Sequence, residues 1–317
     1  MPIPSNSPAI EIAPVNDRDA WRALLVLAGP SALEQGWGHG EAHRRHHGQA
    51  VDRLVFSADS GPCAAVQAFR RPVLGIGRLS RIVRGPVWIG EPDTDTRRAV
   101  LGAIRARYKA GWRQVLLWMP ERADGMEARA AMHAAGLRRV VTGYSSVWLD
   151  LAPEESALRA GLDGNWRNAL NTAERAGISV APCREGPAIN RQIAAYDDFR
   201  RAHRFIGPSG ALIRALIENA DPREEALVLA ATQGGREIAG IVLLRHGAAA
   251  TYHAGWTSEE GRRLNAHNLL LWQGALELRK AGTGWLDLGG VDAAAPGVAR
   301  FKLGVGGAFF TLSGTWI

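Results

Sequence analysis

Apolar and polar positions along the chain change period several times, and each change marks an element. VDRLVFSA (51–58) and CAAVQAFRR (63–71) read as two strands, and the turn residues Asp59-Ser60-Gly61-Pro62 between them predict a hairpin. A basic loop over 75–84 and a short strand, GPVWIG (85–90), follow. Over 94–111 the apolar residues Val100, Leu101 and Ile104 recur at helical spacing and Gly111 supplies a stop, which predicts an amphipathic helix. WRQVLLWMP (112–120) reads as a buried strand, 126–136 as a second helix, and LRRVVTGYSSVWLDL (137–151) as one long strand.

That order then returns. Segments 225–233 and 236–247 flank Gly234-Gly235 as a second hairpin, 248–257 is a strand, a long helix covers about 263–280, and GWLDLGG (284–290) is a strand. Lys280-Ala281-Gly282 precedes this last strand as Lys109-Ala110-Gly111, followed by Trp112, precedes the earlier one. The weak internal repeat implies two copies of one unit with mixed sheets and packed helices, an α/β (α+β) chain with domains 1–151 and 152–317. Residues 152–177 link them, and the last strand is free to return to the first domain. Leu158, Leu162, Trp166, Leu170 and Ala173 make one continuous apolar helical stripe in this linker. Arg167, Asn168 and Asn171 lie on adjoining faces, so the expectation is a helix with Trp166 packed and Arg167 facing a polar cleft.

Composition narrows the class. Hydrophobic residues are 46% and charged residues 22% of 317, the balance of a soluble globular protein, and no apolar run approaches the ~18–20 residues of a bilayer span. No signal peptide is evident, and Cys63 and Cys183 stand far apart without metal or redox spacing, so a reducing cytoplasm is the expected compartment. The net charge of +7 favours phosphate-bearing partners. His43, His46 and His47 share a helix face, but no acidic or thiol partner sits at ligand spacing, and no metal is expected. A nucleophile elbow of the form G-x-S-x-G is absent, so a covalent intermediate is not indicated.

Five stretches resemble, in order, the FemABX family: LEQGWGHGEAHRRHHG (33–48) with its Gln-x-Trp ending at Trp37, RGPVW (84–88) beginning at Arg84, WRNALNTAERAGISV (166–180), 253–290, and FKLGVGGAFFTLSGTW (301–316). The resemblance spans nearly the whole chain and implies two tandem GNAT-like (acyl-CoA N-acyltransferase-like) domains. It also implies transfer of an amino acid from aminoacyl-tRNA to an amine on a peptidoglycan precursor, or on a small peptide or metabolite. Lys302 matches the family's C-terminal lysine, implicated in phosphate binding or oxyanion stabilisation, and is the expected catalytic residue, placed in a Gly-rich strand-loop. Arg204 falls where the family holds a nucleotide-sugar pyrophosphate, but Ile206-Gly207-Pro208-Ser209 follows instead of the substrate-contacting tyrosine, which puts the usual muropeptide acceptor in doubt.

The donor is expected to be aminoacyl-tRNA, with no resident cofactor. A CoA-binding loop has the form Arg/Gln-x-x-Gly-x-Gly/Ala at a helix N-terminus, where backbone N–H groups cradle the pyrophosphate. Here Arg262-Arg263-Leu264-Asn265-Ala266-His267 places side chains at both glycine positions. An acyl-CoA-dependent N-acyltransferase is the alternative, and a non-catalytic GNAT-like scaffold the second. Arg167, Asn168, Arg84, Trp37, Tyr252, His253 and Asp287 complete the expected substrate site. Tyr252-His253 offers a proton relay because histidine titrates near neutrality, and Asp287 ends a strand just before Gly289-Gly290.

Overall fold

A computed structural model describes residues 8–73, 77–108, 113–220 and 226–317. The start of the basic loop and the first copy of Lys-Ala-Gly-Trp (109–112), with the expected helix stop Gly111, lie outside the described residues. The chain divides into two compact units, one running to Tyr144 and taking back Phe310–Ile317, the other Ser145–Phe309.

The first unit contains β1 (Glu11–Pro14), α1 (Arg18–Ala28), α2 (Trp37–His47), β2 (Ala50–Ala58), β3 (Gly61–Val73), β4 (Gly77–Val83), β5 (Val87–Trp88), α3 (Thr94–Tyr108), β6 (Gln114–Met119), α4 (Met126–Ala134) and β7 (Arg139–Val141). The expected hairpin is present as β2 and β3. The expected basic loop is largely the strand β4, whose alternating Ser80 and Ile82 are buried although arginines flank them. β4 and β6 run parallel, joined by the crossover that includes α3. Val100, Leu101, Ile104 and Tyr108 of α3 close over Leu54, Phe56, Val66, Ile82, Leu116 and Trp118. Trp21 and Leu25 of α1 pack on the other face with Ala65 and Val87.

The second unit contains β8 (Ser145–Asp150), α5 (Glu155–Gly161), α6 (Gly164–Arg175), β9 (Ser179–Pro182), α7 (Gly186–Ala202), α8 (Gly210–Glu218), β10 (Leu227–Gln233), β11 (Arg236–His246), β12 (Ala249–Thr257), α9 (Glu259–Arg263), α10 (Ala266–Lys280), β13 (Trp285–Asp287), α11 (Pro296–Leu303) and β14 (Ala308–Thr311). Its sheet runs β14-β8-β13-β12-β11-β10-β9. The last strand, β15 (Thr315–Trp316), belongs to the first sheet, whose order is β1-β2-β3-β4-β6-β15-β7 with β5 on β3.

Three expectations are corrected here. Segment 137–151 is two strands in two sheets, β7 and β8, and the second unit therefore starts at Ser145. The linker stripe is carried by two helices, because Asp163 turns the chain and caps α6 by accepting from Asn165 and Trp166 N–H. All five stripe residues are nevertheless buried in one cluster with α10 and the sheet. Finally, Lys302 lies on a helix, α11, and not on a Gly-rich strand.

Candidate functional site

The site of the second unit is set by two strands that part. β12 and β13 pair in parallel from Ala249↔Trp285 to Thr251↔Asp287, and the ladder stops there. Past that point the chain after β13 stays on β8, with Leu288 N–H bonding Val147 O and Val291 N–H bonding Ser145 O. On its other side β12 is bulged: Leu243 faces Tyr252 and Val242 faces Ala254, leaving His253 as the extra residue. The gap so opened carries Tyr252 and Lys302.

Lys302 Nζ donates to Gly290 O at 2.7 Å and stands 5.8 Å from the centre of the Tyr252 ring. The residue is only 8% exposed. Burial lowers its pKa from 10.5 to about 8, against the pull of the Asp287 charge, which favours the ammonium form. Tyr252 Oη and His267 Nε2 are hydrogen-bonded at 2.8 Å. Burial raises the tyrosine pKa and pushes that of His267 down to about 4, so near neutral pH this is a phenol beside an uncharged imidazole. His253, also lowered to about 4 by burial, has a buried Nε2 without a hydrogen-bond partner.

Packing holds this group in place. Phe301 lies 5.2 Å from the His267 ring and 6.0 Å from Trp166, and Trp166 Nε1 donates to Phe301 O at 3.0 Å. Trp166 thus pins α11, and with it Lys302, to α6. Asp287 is fully buried and its Oδ1 accepts from Ser146 Oγ at 2.7 Å and from Gly289 N–H at 2.8 Å, which shapes the turn after β13. Gly255 leaves room for the Tyr252–His267 pair, since a Cβ there would come within 2.3 Å of Tyr252 Oη and 2.7 Å of His267.

The structure therefore brings together Lys302, Tyr252 and Asp287, with His253 next to Tyr252 on the bulge. The other expected residues make contacts of their own or are exposed. Arg167 donates through Nη2 to Ala160 O and Leu162 O, tying off the end of α5. Asn168 is exposed on α6, and Arg204 is exposed just past α7 with φ +52°. In the first unit Arg84, 2% exposed, forks onto both carboxylate oxygens of Glu121 at 2.5 and 2.6 Å. Trp37 is covered by the Arg53 guanidinium at 3.6 Å, and Arg53 is held in turn by Glu41 and Gln67.

Residues that sequence reasoning did not assign to the site are His267, Phe301, Gly255 and, on α7, Gln192 and Tyr196. Gln192 Oε1 accepts from Trp256 Nε1 at 3.0 Å, while its buried Nε2 and the Tyr196 hydroxyl have no partner. Only the pairing of strands and helices collects them. His267 did carry a signal, since it occupies a position that a CoA loop would give to a small residue, and the structure turns its ring inward to Tyr252.

Residues 163–307 match the acetyltransferase (GNAT) domain family. The structure is similar to that of FemX, 14% identical, with 96% of each chain covered and a TM-score of 0.81. It is also similar to a tandem GNAT protein from the clavulanic acid biosynthesis pathway, 17% identical, covering 97% of this chain and 98% of that one at a TM-score of 0.54. The C-terminal domain of a putative lysylphosphatidylglycerol synthetase from Agrobacterium fabrum is 14% identical, with 95% and 91% covered and a TM-score of 0.54. No curated protein sequence matches the chain. The fold is thus two tandem GNAT-like domains, as in FemX, and the stretch that matches the GNAT domain family carries the Lys302 site.

Proposed function

We propose that this protein is an acyltransferase that forms an amide by direct attack of a substrate amine on the carbonyl of an aminoacyl-tRNA. The observation that carries the reading is a buried lysine, anchored by Gly290 O, in the gap where β12 and β13 part. In such a reaction the amine nitrogen bonds to the ester carbonyl carbon and the carbonyl oxygen takes up negative charge. The C–O bond to the tRNA ribose then breaks, the amine proton is lost, and the released ribose oxygen is protonated. With a pKa of about 8, Lys302 is largely an ammonium at pH 7, and a fixed cation in a site shielded from water stabilises such an oxyanion far better than an exposed one. Holding both substrates in reacting distance supplies much of the remaining rate.

The resemblance of its motifs to the FemABX family suggests a peptidoglycan-precursor amine as one acceptor class, and a small peptide or metabolite is the other. Asn265 and His267, side chains where a CoA loop carries small residues, favour the tRNA donor, and we assign the reaction to the cytoplasm. No helix among the described residues is long and apolar enough to cross a membrane. A second reading, acyl-CoA as donor, draws on the likeness to the tandem GNAT protein, which is described without AcCoA. The test is transfer from a labelled, mixed aminoacyl-tRNA pool run beside labelled acetyl-CoA, with a cell-extract fraction as acceptor. Product abolished by RNase pretreatment supports the tRNA donor; product from acetyl-CoA alone overturns it in favour of the second reading.

A further inference from the structure

A polar row crosses one end of the first sheet, on the face that α3 otherwise covers with apolar side chains. Strand register places it there. Arg70 of β3 is opposite Ser80 of β4, Pro72 is opposite Arg78, and Arg78 and Ser80 face Gln114 and Leu116 of β6. Asp52 of β2 follows Leu54 and Phe56 on the same face by the period of two. The apolar core fills this face as far as Tyr108, the last residue of α3, and beyond it the sheet bears a cavity of about 540 Å³ adjoining a smaller one of about 200 Å³. The two share Arg70, Arg78 and Gln114.

The chemistry of this recess is one-sided. Arg70, Arg71, Arg78, Arg107 and Arg113 line it, and Asp52 is the one carboxylate among the described lining residues. Asp52 is already engaged, by Arg70 at 2.7 Å and by the Tyr108 hydroxyl at 3.3 Å. Two donors at its wall are buried without a hydrogen-bond partner: Ser80 Oγ, on a residue 1% exposed, and Arg70 Nε. Buried donors in folded proteins are nearly always satisfied, so two of them beside a cluster of guanidinium groups point to an acceptor that arrives with a ligand. Arginine forks match phosphate oxygens, and a recess of several hundred Å³ suits a small molecule rather than a duplex.

We propose that this recess, lined by residues of the first unit, binds the diphosphate group of a small ligand such as a nucleoside diphosphate. The oxygens of the diphosphate accept from Ser80 Oγ and Arg70 Nε, and Arg78 and Arg107 balance its charge. The probes are inorganic pyrophosphate and ADP, titrated calorimetrically into the full chain at low salt. Both should bind, more weakly as salt rises. Arg78→Gln combined with Ser80→Ala should weaken both by about tenfold or more with an unchanged melting temperature, while Lys302→Met should leave the affinity unaltered. Absence of binding up to about 10 mM pyrophosphate, a Kd at the weak end of the affinity scale, would overturn the proposal. So would affinity insensitive to Arg78→Gln, or binding lost with Lys302→Met. A total tRNA fraction serves as the remaining arm: if tRNA binding falls in Arg78→Gln and pyrophosphate does not bind, the recess is a nucleic-acid backbone contact and the diphosphate assignment is wrong.

Discussion

Lys302 is a lysine that the fold holds at a cost, and that cost can be read from the pH dependence of stability. Its pKa is lowered from 10.5 to about 8, chiefly because burial disfavours the ammonium form. Below pH 8 the lysine carries its proton in both the folded and unfolded chain, so its contribution is constant and the full penalty of the buried charge is present. Between pH 8 and 10.5 the unfolded chain keeps the proton and the folded one has lost it. Stability then rises with pH by about 1.4 kcal/mol per unit, about 3 kcal/mol in all. Replacing Lys302 by Met retains most of the stem volume and removes the titration. Urea unfolding of wild type and Lys302→Met across pH 7–10.5 isolates the lysine, because the other alkaline groups cancel in the difference. Wild type should gain about 3 kcal/mol relative to the variant over that range. A flat difference, or one that falls with pH, would refute the claim that the lysine is buried and destabilised as a cation.

The same residue predicts an activity profile: if Lys302 acts as a cation, transfer should decline above about pH 8, and Lys302→Met should lower kcat by about 10²–10³ with little change in KM; a rate that climbs through pH 8 would assign it the role of a base. Gly255→Ala, whose Cβ would reach within 2.3 Å of Tyr252 Oη, should separate Tyr252 from His267 and destabilise the unit by about 1–3 kcal/mol, seen as a lower urea midpoint. His267, with its pKa lowered to about 4, leaves the unfolded chain holding more protons between pH 6.5 and 4. Stability should therefore fall on acidification by about 3 kcal/mol, and His267→Gln should lose that much less between pH 7 and 4 in the same assay. Arg84→Ala would remove both guanidinium hydrogen bonds to the half-buried Glu121 carboxylate, at a cost of about 1–3 kcal/mol, and Glu121→Gln in the Arg84→Ala background should recover part of it.

Local pattern carried much of the fold. The β2–β3 and β10–β11 hairpins announce themselves by Gly-containing turns, and α3 by the spacing of Val100, Leu101 and Ile104. What failed depended on contacts distant in sequence. Segment 137–151 is uniformly strand-like, and only the passage of the chain near Leu312 breaks it: a Cβ on Gly143 would lie 1.8 Å from Leu312 O, so a glycine must stand there. β4 was hidden by its arginines, because charge obscures an alternation in which only Ser80 and Ile82 are buried. Of the expected site residues, Lys302, singled out by the family resemblance, and Tyr252 and Asp287, singled out on their strands, are the ones the structure brings together. Arg84 and Arg167 read the same way as ligand-binding arginines, yet Glu121 and the carbonyls of Ala160 and Leu162 occupy them. No local pattern distinguishes an arginine that awaits a phosphate from one that closes a helix. His267 meets Tyr252 through a helix and a strand brought together by the whole core.

The placement of β15 has a consequence for how the chain is made. It lies between β6 and β7, with Trp316 fully buried opposite Trp118 and Arg139, so the edge strand β7 is joined to the rest of the first sheet by residues synthesised after all of the second unit. During translation the second sheet has all its strands by Thr311, before the first can close at Thr315–Trp316, although the first emerges earlier. A nascent chain halted at residue 309 therefore presents a sheet divided between β6 and β7, with Trp118 uncovered on that side. The open strand edges and apolar surface of that intermediate are what a chaperone would recognise. The order of completion along this polypeptide is the reverse of its order of synthesis.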